Sequence, residues 1–102
     1  MEKHYICKSR NSTYMEYGWV YVFDPQYGVE FENKITVEAH CEIERIGKGH
    51  GTIAPVEELI KISPEEYEKY VELWEAWSTG ETDGSDDELT EYIDNLMKKY
   101  GA

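Results

Sequence analysis

The chain has few basic residues. Its 10 Lys and Arg are outnumbered by 22 Asp and Glu, which gives a formal net charge of −12 at pH 7. This excess argues against direct binding to nucleic acid or to anionic lipid, because both would repel the protein. The sequence also lacks an apolar run near the roughly 18 residues of a membrane-spanning helix, and its first residues lack the apolar core of a secretory signal. We expect a cytoplasmic protein, in the host cytoplasm if a phage encodes it.

Cysteine is scarce as well. The chain has two cysteines and three histidines, with no CxxC or HxxxH pair, whereas structural zinc sites usually bring together four closely spaced ligands. A site built from Cys7, Cys41 and a loop histidine is the remaining geometric alternative. We predict no metal and no cofactor, and we expect two reduced, buried thiols. His40 and Cys41 should lie on opposite faces of a strand and therefore form neither a metal site nor a catalytic pair.

Motifs of enzymes are missing too. Residues 47–51 (GKGHG) lack the spacing of a Walker A phosphate loop, and a hairpin turn is the simpler interpretation. Residues 83–88 (DGSDDE) lack the sixth-position glycine of a calcium loop. The sequence therefore predicts a non-enzymatic protein.

The first half of the chain has the patterns of β-strands. Residues 3–8 are a short candidate strand, and residues 17–23 (YGWVYVF) are apolar on both faces, which indicates a central strand. Turn-forming residues at 24–28 (DPQYG) then predict a hairpin to an alternating strand at 29–32.

The most regular alternation of apolar and polar residues covers residues 34–46. It predicts a long strand with one buried and one solvent-exposed face. The residues of the expected exposed face are Thr36, Glu38, His40, Glu42 and Glu44. Residues 52–54 should return as a partner strand, and residues 55–62 fit either a helical turn or a short edge strand.

The second half predicts two helices. Ser63, Pro64 and Glu66 have the spacing of a capping box at a helix start, and Thr79 followed by glycine marks its end. Residues 86–100 repeat apolar residues at helical spacing. We predict the α+β class: a single domain (residues 1–102) with an antiparallel sheet of four to five strands, followed by two C-terminal helices packed on it.

The negative charge is concentrated in residues 57–94, which contain 14 acids and two bases, whereas the rest of the chain has eight of each. Many of these acids share one side of their predicted helix, and two more belong to the long strand. The candidate partner-binding residues are Glu65, Glu68, Glu72, Glu75, Glu81, Asp83, Asp86, Asp87, Glu91, Asp94, Glu38 and Glu42.

This concentration predicts a surface that docks into the basic groove of a partner protein. If that groove normally holds phosphates, the protein is a nucleic-acid mimic, like the acidic anti-CRISPR and anti-restriction proteins of phages. One alternative is an immunity or antitoxin protein for a basic nuclease toxin. Others are a small metal-binding or structural accessory subunit, and an acidic face that serves solubility alone. The sequence is compatible with a monomer and with a homodimer.

Overall fold

A computed structural model of the protein describes residues 1–79 and 85–102, with side chains at 1–79 and 88–102. The chain divides into two compact units, Met1–Ile62 and Ser63–Ala102. An antiparallel sheet occupies the first unit and two helices occupy the second, so the predicted α+β class is confirmed. The single domain and the packing of the helices on the sheet stay predictions.

The first unit contains a six-stranded antiparallel sheet in the order β3-β4-β2-β1-β6, with β5 paired to β4. Its strands are β1 (Lys3–Cys7), β2 (Val20–Phe23), β3 (Glu30–Phe31), β4 (Lys34–Ala39), β5 (Thr52–Pro55) and β6 (Leu59–Ile62). The pairing of β5 with β4 confirms the predicted partner strand. A short 3-10 helix, Val56–Glu58, precedes the edge strand β6, so residues 55–62 contain both of the structures that their sequence fits.

Strand β2 is central, as predicted, because β1 and β4 flank it and all four of its residues are buried, but it covers only the last four residues of the predicted segment 17–23. One face of the sheet carries most of a hydrophobic cluster. Its residues are Tyr5, Cys7, Met15, Tyr21, Phe23, Ile35, Val37, Ala39, Ala54 and Leu59. On the other face, Ile6, Val20 and Val22 are also almost completely buried. Burial on both faces explains why this segment is apolar without alternation.

The predicted hairpin between residues 17–23 and 29–32 is wrong. Strand β3 pairs with β4 instead, through Glu30 with Ile35 and Phe31 with Lys34. The turn residues do form a turn, since the backbone N–H of Tyr27 donates to the carbonyl of Asp24. A local turn signal does not specify which strand pairs with the segment that follows it.

The predicted strand at residues 34–46 is too long. Strand β4 ends at Ala39, and helix α1 (His40–Ile46) follows it directly. Over so few residues, alternation is compatible with a helix, and Glu and Arg favour the helix. Arg45 contacts Glu42 at 3.1 Å, three residues back, a pair that helical spacing brings together.

The second unit consists of α2 (Pro64–Thr79) and α3 (Ser85–Lys99), which pack against each other. The bounds of α2 agree with its predicted start and end, and α3 begins and ends one residue before the predicted segment. Buried side chains on the two helices include Tyr70, Leu73, Leu89, Leu96 and Met97. Trp77, near the end of α2, is 46% exposed. Among the described residues, no helix is long and apolar enough to cross a membrane.

Candidate functional site

The first half of the candidate site lies on α2, where four glutamates point to solvent. This α2 acidic face consists of Glu65, Glu68, Glu72 and Glu75, all of them exposed. Their spacing of three, four and three residues places them on one side of the helix, turned away from the buried Tyr70 and Leu73. At 1.5 Å of rise per residue, the face is about 15 Å long with a carboxylate every ~5 Å. One strand of duplex DNA carries a phosphate every ~3.4 Å of axis.

The second half lies on α3. Its exposed acids are Glu88, Glu91 and Asp94, and we call them the α3 acidic face. They lie away from Leu89 and Leu96, which are buried. For four other predicted site residues, the structure describes no side chain. The backbone of α3 includes Asp86 and Asp87, but their side chains are outside the described set, and Glu81 and Asp83 are outside the described residues altogether.

Few cations lie near these two faces. Within residues 63–79 and 88–102, Lys69 contacts Glu72 at 3.9 Å, and Lys99 contacts Glu66 at 2.7 Å. The acids of the two faces that form no ion pair in this described part are Glu65, Glu68, Glu75, Glu88, Glu91 and Asp94. Like charges three or four residues apart on a helix repel by a few tenths of a kcal/mol per pair. The fold therefore leaves this charge largely uncompensated.

In the first unit, several acids contact basic side chains. Lys3 contacts Glu30 at 2.6 Å, and Lys48 contacts both Glu2 and Asp24 at 2.7 Å. The hydrogen bond from Lys48 lowers the pKa of the Asp24 carboxyl, with a smaller contribution from the backbone N–H of Gln26. Four acids of this unit, Glu2, Asp24, Glu30 and Glu42, thus have a lysine or arginine partner within the fold.

Glu66 is the exception among the acids of α2, because it is only 9% exposed. Its Oε1 accepts the backbone N–H of Ser63 at 2.8 Å, and its own N–H donates to Ser63 Oγ at 3.1 Å, which confirms the predicted capping box. It also accepts hydrogen bonds from Lys99 Nζ at 2.7 Å and from the Tyr100 hydroxyl at 2.5 Å. Burial alone would raise the pKa of this carboxyl, but the hydrogen bonds outweigh it and lower the pKa to about 2. Glu66 connects the start of α2 to the end of the chain.

The two strand acids of the predicted site do not lie on a shared exposed face. Glu38 is only 6% exposed, and its Oε1 accepts the backbone N–H groups of Gly49 at 2.9 Å and His50 at 3.1 Å. Glu42 lies on α1 and pairs with Arg45. The exposed strand face predicted for Glu38, Glu42 and Glu44 is therefore wrong, because β4 stops before α1.

With the geometry of the acids established, comparison with known proteins assigns no family. No protein-family model, no curated protein and no solved structure matches the chain. The function must therefore be inferred from the side chains that the two units present at their surfaces.

The glycine-rich segment 47–51 has structural reasons for its glycines. It connects α1 to β5, so the predicted simple hairpin turn is wrong. Gly47 has φ +89° and its N–H donates to the carbonyl of Ile43 at 2.9 Å, which ends α1. Gly51 passes close to β4: a Cβ there would lie 2.9 Å from Thr36 Cγ2 and 3.0 Å from the carbonyl oxygen of Val37.

We expect Gly51→Ala to lower the free energy of unfolding by about 1–3 kcal/mol, because the added methyl group overlaps with the backbone of β4. Urea denaturation followed by circular dichroism measures this loss. Asn11→Ala, at an exposed side chain of the same unit, is the control and should stay within about 0.5 kcal/mol of the parent. Equal stability of the two variants would show that β4 and the loop separate easily.

The cysteines are structural in character. Cys7 is part of the hydrophobic cluster, as predicted, and the half-buried Cys41 packs against it. Burial raises the pKa of both thiols, which disfavours the reactive thiolate. Because His40 and Cys41 are consecutive residues of α1, the argument that a strand directs them to opposite faces is wrong. Across residues 1–79 and 88–102, no three His, Cys, Asp or Glu side chains form a group suited to a metal ion.

Proposed function

We propose that this protein is a non-enzymatic inhibitor whose α2 and α3 acidic faces dock into the basic nucleic-acid-binding groove of a partner protein. The observation that carries the proposal is the set of exposed helical carboxylates that have no ion pair in the described part of the second unit. A cytoplasmic, nucleic-acid-binding enzyme is the kind of partner that fits this surface.

The chemistry of such a groove supports the proposal. Arg and Lys side chains that hold phosphate oxygens form charge-assisted hydrogen bonds equally well with carboxylates. A helix presents its carboxylates in a fixed row. The backbone that carries them is already ordered, so it loses little conformational entropy on binding. A carboxylate every ~5 Å along α2 is somewhat sparser than one DNA strand, which makes a second acidic row on α3 useful to a mimic.

The energetics of the isolated fold also support it. Repulsion along each row opposes helix formation by a few tenths of a kcal/mol per pair, and Lys69 compensates it only through a 3.9 Å contact with Glu72. Cations from a partner would relieve that repulsion. Association should be fast at low salt and weaken as ionic strength rises, because exposed charges act over about one Debye length.

An immunity protein that blocks a basic nuclease toxin is the second candidate. The same acidic faces favour it, because a nuclease also presents a basic groove to its substrate. The identity of the partner separates the two candidates: a nuclease encoded beside this protein indicates immunity, and an enzyme of host defence indicates an inhibitor.

The test starts with capture of partners from a lysate of the organism's own cells at low salt, with elution by rising salt. We expect a nucleic-acid-binding protein to elute as the salt rises. We also expect the purified inhibitor to displace labelled DNA or RNA from that protein in competition. A partner that stays bound in high salt, or nucleic-acid binding that the protein leaves unchanged, would contradict the proposal.

A further inference from the structure

A cleft of about 350 Å³ opens in the first unit, within Met1–Ile62. The buried side chains of Tyr21, Val37 and Ala39 form its apolar floor, and the exposed rings of Tyr14 and Trp19 stand at its rim. A volume of this size lies within the range of small-ligand sites. The proposed docking of the acidic faces makes no use of this cleft, because those faces belong to the second unit.

The rim of the cleft is held in place by the fold. Met15 is 5% exposed and belongs to the hydrophobic cluster, which anchors the segment between Tyr14 and Trp19. The N–H of Glu16 donates to the Tyr21 hydroxyl at 2.8 Å. Cys7 N–H donates to the carbonyl of Trp19 at 3.0 Å, which ties the same segment to β1. The aromatic side chains are therefore attached to a backbone that is already ordered before any ligand binds.

The chemistry of the lining favours a positive charge. Its residues include two carboxylates, Glu16 and Glu42, and one histidine, His50, but neither lysine nor arginine. Glu16 forms no ion pair among the residues that the structure describes. Glu42 pairs with Arg45, whose side chain is 67% exposed. Three aromatic rings beside such carboxylates offer cation–π attraction together with a counter-charge.

We propose that this cleft binds an organic cation: an alkylammonium or guanidinium group that lies against the aromatic rings and pairs with Glu16. An anion would meet the two carboxylates and be repelled. A neutral apolar group would gain contact with the rings but would leave Glu16 without a counter-charge. The cation can come from a free small molecule, such as a quaternary ammonium compound, or from a lysine or arginine side chain of a protein.

The test is a titration of the ¹⁵N-labelled protein by NMR. The probes are choline, its neutral isostere 3,3-dimethyl-1-butanol, and blocked tripeptides with a central lysine or arginine. We expect at least one cation to shift the indole N–H signal of Trp19. That signal is assigned as the one that is missing from the spectrum of the Trp19→Phe variant. We expect the neutral isostere to bind about tenfold more weakly, or not at all. Tighter binding of choline would indicate a free ligand, and tighter binding of a tripeptide would indicate a protein side chain.

Two variants locate the site. Trp19→Ala should weaken cation binding about tenfold, and Glu16→Gln about threefold, because each removes one attraction. The matched controls are Trp77→Ala and Glu57→Gln, which replace an exposed tryptophan on α2 and an exposed glutamate outside the cleft lining. They should bind like the parent.

Three results would overturn the proposal: no response of Trp19 to any cation, an equal response to the neutral isostere, or unchanged affinity in both Trp19→Ala and Glu16→Gln. The spectrum of Glu16→Gln should keep the dispersion of the parent, since the Glu16 side chain is exposed. Failure here leaves the acidic-face proposal intact, because that proposal depends on the other unit.

Discussion

Reversing two charges on the α2 acidic face, with Glu68→Lys and Glu75→Lys, should weaken capture of the basic partner at least about a hundredfold. Close charge pairs in a protein interface are coupled by about 1.5–7 kcal/mol each, and ~1.4 kcal/mol corresponds to a factor of ten. Reversal also turns each attraction into a repulsion. The measurement is the dissociation constant for the purified partner at low and at high salt.

The helix should survive this change. Both side chains are exposed and form no ion pair in the described part of the chain. Each reversal also replaces repulsion from Glu65 or Glu72, three or four residues away on the helix, with an attraction. An unchanged circular dichroism spectrum would confirm that a loss of binding comes from the surface charge.

The matched control is Glu32→Lys with Glu57→Lys, two exposed glutamates of the first unit that also form no ion pair in the described chain. This variant has the same net charge as the test variant. We expect it to keep most of the affinity, because its new charges lie outside the acidic faces. If both variants lose binding equally, net charge alone matters and the docking faces are not those of α2 and α3. If neither loses binding, the acidic-face proposal is wrong.

Replacing Glu66 should have the largest effect on stability of any single acid. We expect Glu66→Ala to lower the free energy of unfolding by about 2–3 kcal/mol, because it removes the capping box and two hydrogen bonds to a charged acceptor. Those bonds come from Lys99 and Tyr100, more than 30 residues away in the chain. Urea denaturation at neutral pH measures the loss.

Two further variants separate the causes. Glu65→Ala removes the exposed neighbouring acid and should cost about 0.5 kcal/mol through the helix dipole. Glu66→Gln retains an acceptor for the capping box but loses the ion pair with Lys99, so its stability should lie between those of the parent and Glu66→Ala. A loss in Glu66→Ala no larger than that in Glu65→Ala would show that the buried cluster contributes little.

The contribution of Glu66 should also depend on pH. The pKa of its carboxyl is lowered in the folded protein to about 2 from an ordinary value of 4.5. A lowered pKa stabilises the fold above the unfolded value, and this stabilisation is lost as the pH falls through the folded value. The difference in stability between the parent and Glu66→Gln should therefore shrink from about pH 4.5 down to about pH 2. A difference that stays constant across this range would contradict the ionised, hydrogen-bonded state of Glu66.

Some of this structure follows from short stretches of sequence. The capping box of Ser63 and Glu66 defines the start of α2, because both of its hydrogen bonds close within three residues. The apolar run at Tyr21 and its neighbours identifies the central strand, since only a strand that is buried on both faces lacks polar alternation. The same reasoning fails at residues 34–46, where one alternating pattern is divided between β4 and α1.

The sequence by itself determined where the negative charge lies and which acids share a side of each helix, because helical periodicity fixes those positions within a few residues. Only the tertiary structure decided which of these acids remain exposed and available to a binding partner. Glu38 is buried against a loop 11 residues further on, and Glu66 is held by a lysine 33 residues away. It also brought Tyr14, Trp19 and Glu42 to one cleft. Such contacts join distant segments, and no local pattern of residues encodes the distance between them.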